Sequence, residues 1–166
     1  EEYRKQAYND GPLPIKRDQT ISQPYIVARM VQALEPQSED KILEIGSGSG
    51  YVCAILSRIV EEVHGVERIK ELAQDSIEVI EQLGYENVYI HVADGTKGWP
   101  EQSPYDGIIV SAGAPEVPDI LIDQLAIGGK LVIPVGDRRL QKLLQIEKIS
   151  EEKTERKNLG MVRFVP

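Results

Sequence analysis

Three carboxylates and a run of glycines stand out as groups that could do chemistry. Glu44, Glu67 and Asp94 each lie at the end of a short apolar run, and Gly46, Gly48 and Gly50 follow the first in the stretch KILEIGSGSGYV. Glycine permits positive φ and lets a ligand lie against bare backbone. A helix starting directly after such a turn adds unpaired N–H groups and a positive dipole end. Glu67 falls about 20 residues beyond the turn, the spacing at which a carboxylate takes the ribose hydroxyls of an adenosine ligand. Ser22, in QTISQP, precedes an apolar helical pattern. It reads either as a plain N-cap or as a hydroxyl that, with the N–H groups after it, holds a carboxylate. No His/Asp or Cys/His constellation is present. His64 and His91 fall in strand patterns and Cys53 in a helix pattern, so all three read as structural.

The elements that must position these groups alternate. Ile42, Leu43 and Ile45 suit a buried parallel strand, and Tyr51 to Val60 has helical spacing. Val63 to Glu67 reads as a second strand, and Lys70 to Leu83 as an amphipathic helix stopped by Gly84. Asn87 to Val92 and Asp106 to Ala112 are further strands, Ile120 to Leu125 a short helix, and Lys130 to Val135 a fifth strand. Asp106, at the far edge from the other acids, reads as structural. Ahead of the glycines, Glu1 to Tyr8 reads as a frayed helix end. Asn9 to Arg17 is an extended or turning segment, and a helix capped at Ser22 runs to about Leu34. Leu140 to Ser150 and Gly160 to Val165 read as antiparallel strands about a charged turn, Glu151 to Lys157, with Lys148 to Lys157 as a solvated tip. The predicted fold class is α/β: a doubly wound, mostly parallel, Rossmann-like sheet with an antiparallel C-terminal edge, in one domain over residues 1–166.

The totals narrow the function classes. Apolar residues are 41% and charged residues 28%, as in an ordinary soluble globular protein. The net charge is −8, and no basic stripe of the kind a nucleic-acid binder carries is visible. One cysteine excludes an internal disulfide and fits a reducing cytosol. No apolar run approaches the roughly 20 residues of a membrane helix, and no signal-peptide pattern opens the chain. A cytoplasmic monomer, without nucleic-acid or membrane partners and without a metal, is expected.

The glycine turn itself discriminates between cofactors. A dinucleotide fingerprint is G-x-G-x-x-G, but its third glycine position falls on Tyr51. An acid followed by G-x-G-x-G instead resembles the first motif of S-adenosylmethionine-dependent methyltransferases. That cofactor carries a sulfonium and an ammonium and no pyrophosphate, which suits a turn flanked by carboxylates. Across the chain, DGPLPI, QTISQPYIVARM, LEIGSGSGY, ADGTKG, APEVPDILIDQL, GGKLVIPVG and FVP together resemble the protein-L-isoaspartate (D-aspartate) O-methyltransferases. The resemblance spans Tyr8 to Pro166. Against that family the chain is expected to be truncated at both ends, and Asp18 stands where a glycine is expected.

The resemblance implies methyl transfer from S-adenosylmethionine to the free α-carboxylate of isoaspartyl residues in damaged proteins and peptides, a repair reaction. It places Ser22 in the active site. Thr20 and Ile21 would line the crossing of substrate and cofactor. Glu44 would face the methionine end of the cofactor, with Gly46, Ser47 and Gly48 beneath it. Glu67 would take the ribose, and Asp94 with Gly95 the adenine. Two other readings compete: an RNA methyltransferase of the same fold, which would need a basic docking surface, and a non-catalytic cofactor-binding module.

Overall fold

The computed structural model describes residues 4–6, 9–15, 17 and 19–165. Asp18, Tyr3 and Tyr8 lie outside them. A small hairpin, β1 (Leu13–Pro14) with β2 (Thr20–Ile21), leads into α1 (Pro24–Leu34). There follow β3 (Lys41–Ile45), α2 (Tyr51–Leu56), β4 (Glu62–Glu67), α3 (Lys70–Gln82), β5 (Val88–Val92) and β6 (Tyr105–Val110). Helix α4 (Asp119–Asp123) then precedes β7 (Leu125–Gly136), β8 (Gln141–Ser150) and β9 (Lys153–Val162).

The main sheet has the order β5-β4-β3-β6-β7-β8-β9. Pairing is parallel from β5 to β7 and antiparallel from β7 to β9. The predicted fold class is therefore the observed one. The chain leaves β3 toward β4 and β5, then returns to β6 on β3's other side. The crevice between the C-terminal ends of β3 and β6 is thus the point where strand order reverses, the place where such sheets bind ligands.

Alternation within the strands builds a core on each face. Ile42 and Ile109 pack with Val27, Met30 and Leu34 of α1 and Cys53 and Leu56 of α2. Leu43, Ile45, Ile108 and Val110 pack on the other face with Leu121 of α4. Asp106 closes the far end of the sheet, its Oδ2 accepting the Lys41 N–H at 2.8 Å, so its structural reading holds.

Five local expectations are corrected. Ser22 does not cap α1: Gln23 is the N-cap residue, with no side-chain cap bond, and Pro24 opens the helix. Helix α2 stops at Leu56 rather than Val60 because its last turn tightens and Asn87 Nδ2 takes the carbonyls of Ser57, Val60 and Glu61. The turn between β8 and β9 spans only Glu151 and Glu152; Lys153–Val162 is a strand, charged because it is the sheet's edge and mostly exposed. Lys148 is no part of a solvated tip. Its stem is buried, and its ammonium reaches the Leu125 carbonyl at 3.1 Å and Glu151 at 2.9 Å. The segment after Val162 leaves the sheet, and Val165 O accepts the Gly113 N–H at 2.8 Å.

Candidate active site

Two adjoining cavities open at the reversal point. The larger, about 360 Å³, has Glu67 and Asp94 toward one side and Ser111, Gly113 and Val165 toward the other. The smaller, about 40 Å³, is bounded by Ser22, Ile21, Glu44, Ser47 and Tyr51. Ile15, Thr20, Gly46, Gly48 and Ser111 line both. The β1–β2 hairpin therefore roofs the place where the two meet.

The glycine turn is braced from within. Gly46 and Gly48 have φ of +78° and +52°, which a side chain would strain. The Gly46 and Ser47 N–H groups donate to Val66 O at 2.8 and 3.1 Å, and Gly50 N–H donates to Ser47 O at 2.8 Å. Gly48 N–H donates to Glu67 Oε2 at 2.9 Å, while Ile69 N–H donates to Glu67 Oε1 at 2.8 Å. These amides are already matched, and a carboxylate stands against the turn. A pyrophosphate would meet a carboxylate in place of a favourable charge, whereas a cationic, adenosine-bearing ligand suits the site.

Each acid has a distinct setting. Glu67, buried at the end of β4, keeps lone pairs free on both oxygens for hydroxyl donors. Asp94 is exposed, and its Oδ1 accepts the Thr96 N–H and hydroxyl at 3.0 and 2.8 Å. Those bonds hold its carboxyl below the usual range. Gly95 allows a close approach: a Cβ there would sit 2.6 Å from Ile45 Cγ2. Glu44 lines the smaller cavity but is turned inward. Its Oε1 accepts the Ser111 hydroxyl at 2.6 Å, and its Oε2 accepts the Cys53 thiol at 2.8 Å. Burial pushes its carboxyl up to about 7 and the Cys53 thiol well above its usual value. The acid expected to face the cofactor thus ties β3 to α2 and to the end of β6.

Three polar groups complete the smaller cavity. Ser22 makes no hydrogen bond to another described residue through its hydroxyl. Ser47 Oγ is buried without a partner, an orphan that a bound polar ligand would satisfy. Ser111 was not among the sequence candidates. Its place directly after β6, beside the strand carrying Glu44, was the available signal.

The model of the family described as protein-L-isoaspartate(D-aspartate) O-methyltransferase matches residues 1–166. The chain belongs to this family. It is 55% identical over 160 residues to the protein-L-isoaspartate O-methyltransferase of Pelotomaculum thermopropionicum, covering 96% of this chain and 70% of that one. To the Syntrophus aciditrophicus protein of the same name it is 54% identical, over 96% and 74% of the two chains. A solved protein-L-isoaspartate O-methyltransferase superposes with a TM-score of 0.90 at 30% identity, over 97% of this chain and 53% of that one. A Plasmodium falciparum chain solved with S-adenosyl-L-homocysteine gives 0.79 at 31% identity, over 99% and 83%. S-adenosylmethionine is accordingly the cofactor of this methyltransferase, and the braced turn and carboxylates described above fit it.

The methyltransferase keeps its histidines apart from both cavities. His64 Nε2 pairs with Glu62 Oε1 at 2.8 Å and His64 Nδ1 with His91 Nε2 at 2.9 Å. The His91 ring stacks on Trp99 with centroids 4.2 Å apart. Burial lowers the pKa of both. Among the described residues there is no group of three or more His, Cys, Asp or Glu arranged to hold a metal, and no helix is long and apolar enough to cross a membrane.

Proposed function

We propose that this chain methylates the free α-carboxylate of L-isoaspartyl residues in damaged proteins and peptides, using S-adenosylmethionine, as one methyltransferase domain. The observation that carries the reading is the meeting of the two cavities under the hairpin, with a Ser22 hydroxyl in the smaller one that no described residue engages. S-adenosylmethionine supplies an electrophilic methyl group. The chain's own residues then have to bind, desolvate and aim the acceptor.

An α-carboxylate has an unperturbed pKa of about 3.5, so it is ionised at neutral pH and needs no general base. The absence of a His-based pair from the cavities fits that chemistry. Ser22 donates a hydrogen bond to the substrate carboxylate. Thr20 and Ile21 stand where substrate and cofactor cross. Apolar walls of the smaller cavity, Ile15, Ile21 and Val52, strip water from the nucleophile. Glu67 takes the ribose hydroxyls, Asp94 and Gly95 border the adenine, and Gly46, Ser47 and Gly48 underlie the methionine end. Glu44 holds that wall in place rather than presenting its charge. The net charge of −8 favours a protein or peptide substrate over RNA, and a cytoplasmic monomer is the working form.

Methyl transfer to an isoaspartyl peptide, with the same peptide carrying a normal aspartyl link as control, tests the reading. Methylation of the isoaspartyl form alone is the expected result. Tight S-adenosyl-L-homocysteine binding by calorimetry without transfer to either peptide would leave a cofactor-binding module and remove the enzymatic reading.

A further inference from the structure

Resting on that role for Ser22, we infer that Asp10 is a positioning residue for the reaction: it supplies the cap that α1 lacks and so fixes the Ser22 hydroxyl over the smaller cavity. Asp10 lies in the turning segment ahead of β1, thirteen residues before Gln23. Its Oδ1 accepts the Tyr25 N–H at 3.0 Å. Its Oδ2 accepts a bond from Gln23 Nε2 at 2.9 Å, and its carbonyl a longer one at 3.4 Å. One carboxylate thus grips the residues on both sides of Pro24.

The geometry explains why this grip reaches Ser22. Residues 10–15 and 19–23 are bonded to one another along their length. Asp10 and Gln23 join the base, Leu13 and Pro14 pair with Ile21 and Thr20 across the middle, and Ile15 N–H donates to Gln19 O at 2.8 Å toward the other end. Ile15 Cδ1 lies 3.7 Å from where a Gly48 Cβ would be, so the Ile15 side chain rests on the glycine turn. Ser22 is the last residue before the clamped base, directly between β2 and Gln23. Arg17 Nη2 donates to Glu71 Oε1 of α3 at 3.1 Å at the other end of this roof, so Asp10 is the side-chain tie at the end that carries Ser22.

The grip also reassigns donors. A helix start attracts anions, and the sequence reading placed the substrate carboxylate on the N–H groups after Ser22. Tyr25 N–H is already committed to Asp10. The side chain of Asp10 therefore fills the anion position of α1, and Ser22 presents its hydroxyl without competition from its own helix.

Isoaspartyl-peptide kinetics of Asp10→Ala, Ser22→Ala and the double variant test the inference. Misplacing a reacting partner by about 1 Å costs about 100-fold. The expected result is a fall of about 10- to 100-fold in kcat for Asp10→Ala at unchanged S-adenosyl-L-homocysteine affinity. The double variant should be no slower than Ser22→Ala, since the two act as one unit. Asp10→Asn, which keeps an acceptor for Tyr25 N–H, should recover most of the rate. Parent kcat in Asp10→Ala, or single losses that multiply in the double variant, would overturn the inference. Gln23→Leu removes only the second arm of the grip and serves if Asp10→Ala does not fold. A kcat loss absorbed by Ser22→Ala supports the role, and parent kcat overturns it. A parent enzyme inactive on the peptide defeats the proposed function together with this role, whereas an active parent with an unaffected Asp10→Ala defeats the role alone.

Discussion

Glu67 Oε2 accepts the backbone N–H of Gly48 at 2.9 Å, so the acid at the end of β4 holds the glycine turn that follows β3. One side chain thereby shapes the floor of the larger cavity and lines it. Glu67→Ala should remove both contributions. Loss of charge-assisted bonds to a ribose diol corresponds to about 1.5–3 kcal/mol, or about 10- to 150-fold in affinity. Leaving the part-buried Gly48 and Ile69 N–H groups without this acceptor adds a stability cost, about 1 kcal/mol where water from the cavity replaces it. Titration with S-adenosyl-L-homocysteine, at a temperature where the variant stays folded, measures the first. Unchanged affinity would take Glu67 out of the cofactor site.

The spacing that singled out Glu67 was legible because strand, turn and helix repeat at a regular length in such sheets. Other features were hidden for physical reasons. The grip of Asp10 on Tyr25 joins residues 15 apart through a turning segment, and local capping rules pointed to Ser22 instead. Glu44 was identified by position, but whether a strand-end acid faces a ligand or the core depends on the helix packed over it. Here Cys53 of α2 and Ser111 after β6 take its oxygens. The strand Lys153–Val162 was masked by its charges, which an edge strand tolerates because much of its surface meets water. Val165 lines the larger cavity only because the chain leaves the sheet after Val162, which apolar patterning does not reveal.

Glu44 should make stability fall as pH rises. Its folded-state carboxyl is raised by burial from 4.5 to about 7, so the native state holds a proton that the unfolded state has released across that interval. Stability is then full below about pH 4.5 and lost as pH climbs to 7, by about 3 kcal/mol at most. Glu44→Gln should abolish this component, gaining on the parent between pH 5 and pH 8 in denaturant melts. A difference between the two proteins that stays constant with pH would mean that Glu44 is ionised throughout.

The histidines should act on stability with the opposite sign and not on catalysis. Burial holds His64 and His91 below the usual 6.5, so their contribution is present above that pH and lost as pH falls below it. His91→Gln should lessen acid destabilisation below about pH 6.5 while leaving kcat per folded enzyme unchanged. A rise in rate through that range that disappears in His91→Gln would put a histidine into the reaction. Glu44→Gln is the control, since its carboxyl titrates nearby.

Ser22 separates a catalytic hydroxyl from a helix cap, and the structure simplifies the experiment. The sequence alone suggested that Ser22→Ala would also cost the cap of α1, about 0.5–2 kcal/mol. With Gln23 at the cap position and Asp10 holding Tyr25 N–H, Ser22→Ala removes no such bond. The stability change should stay within about 0.5 kcal/mol. Alanine is the better probe than glycine because it adds no backbone freedom to the roof between β2 and α1. Losing one hydrogen bond to an ionised carboxylate should lower kcat/KM for the isoaspartyl peptide by about 1.5–3 kcal/mol, roughly 10- to 150-fold. S-adenosyl-L-homocysteine affinity and Tm should remain those of the parent. Transfer at the parent rate would leave Ser22 as a cavity wall, and a parallel loss of cofactor affinity would move it from the substrate to the cofactor.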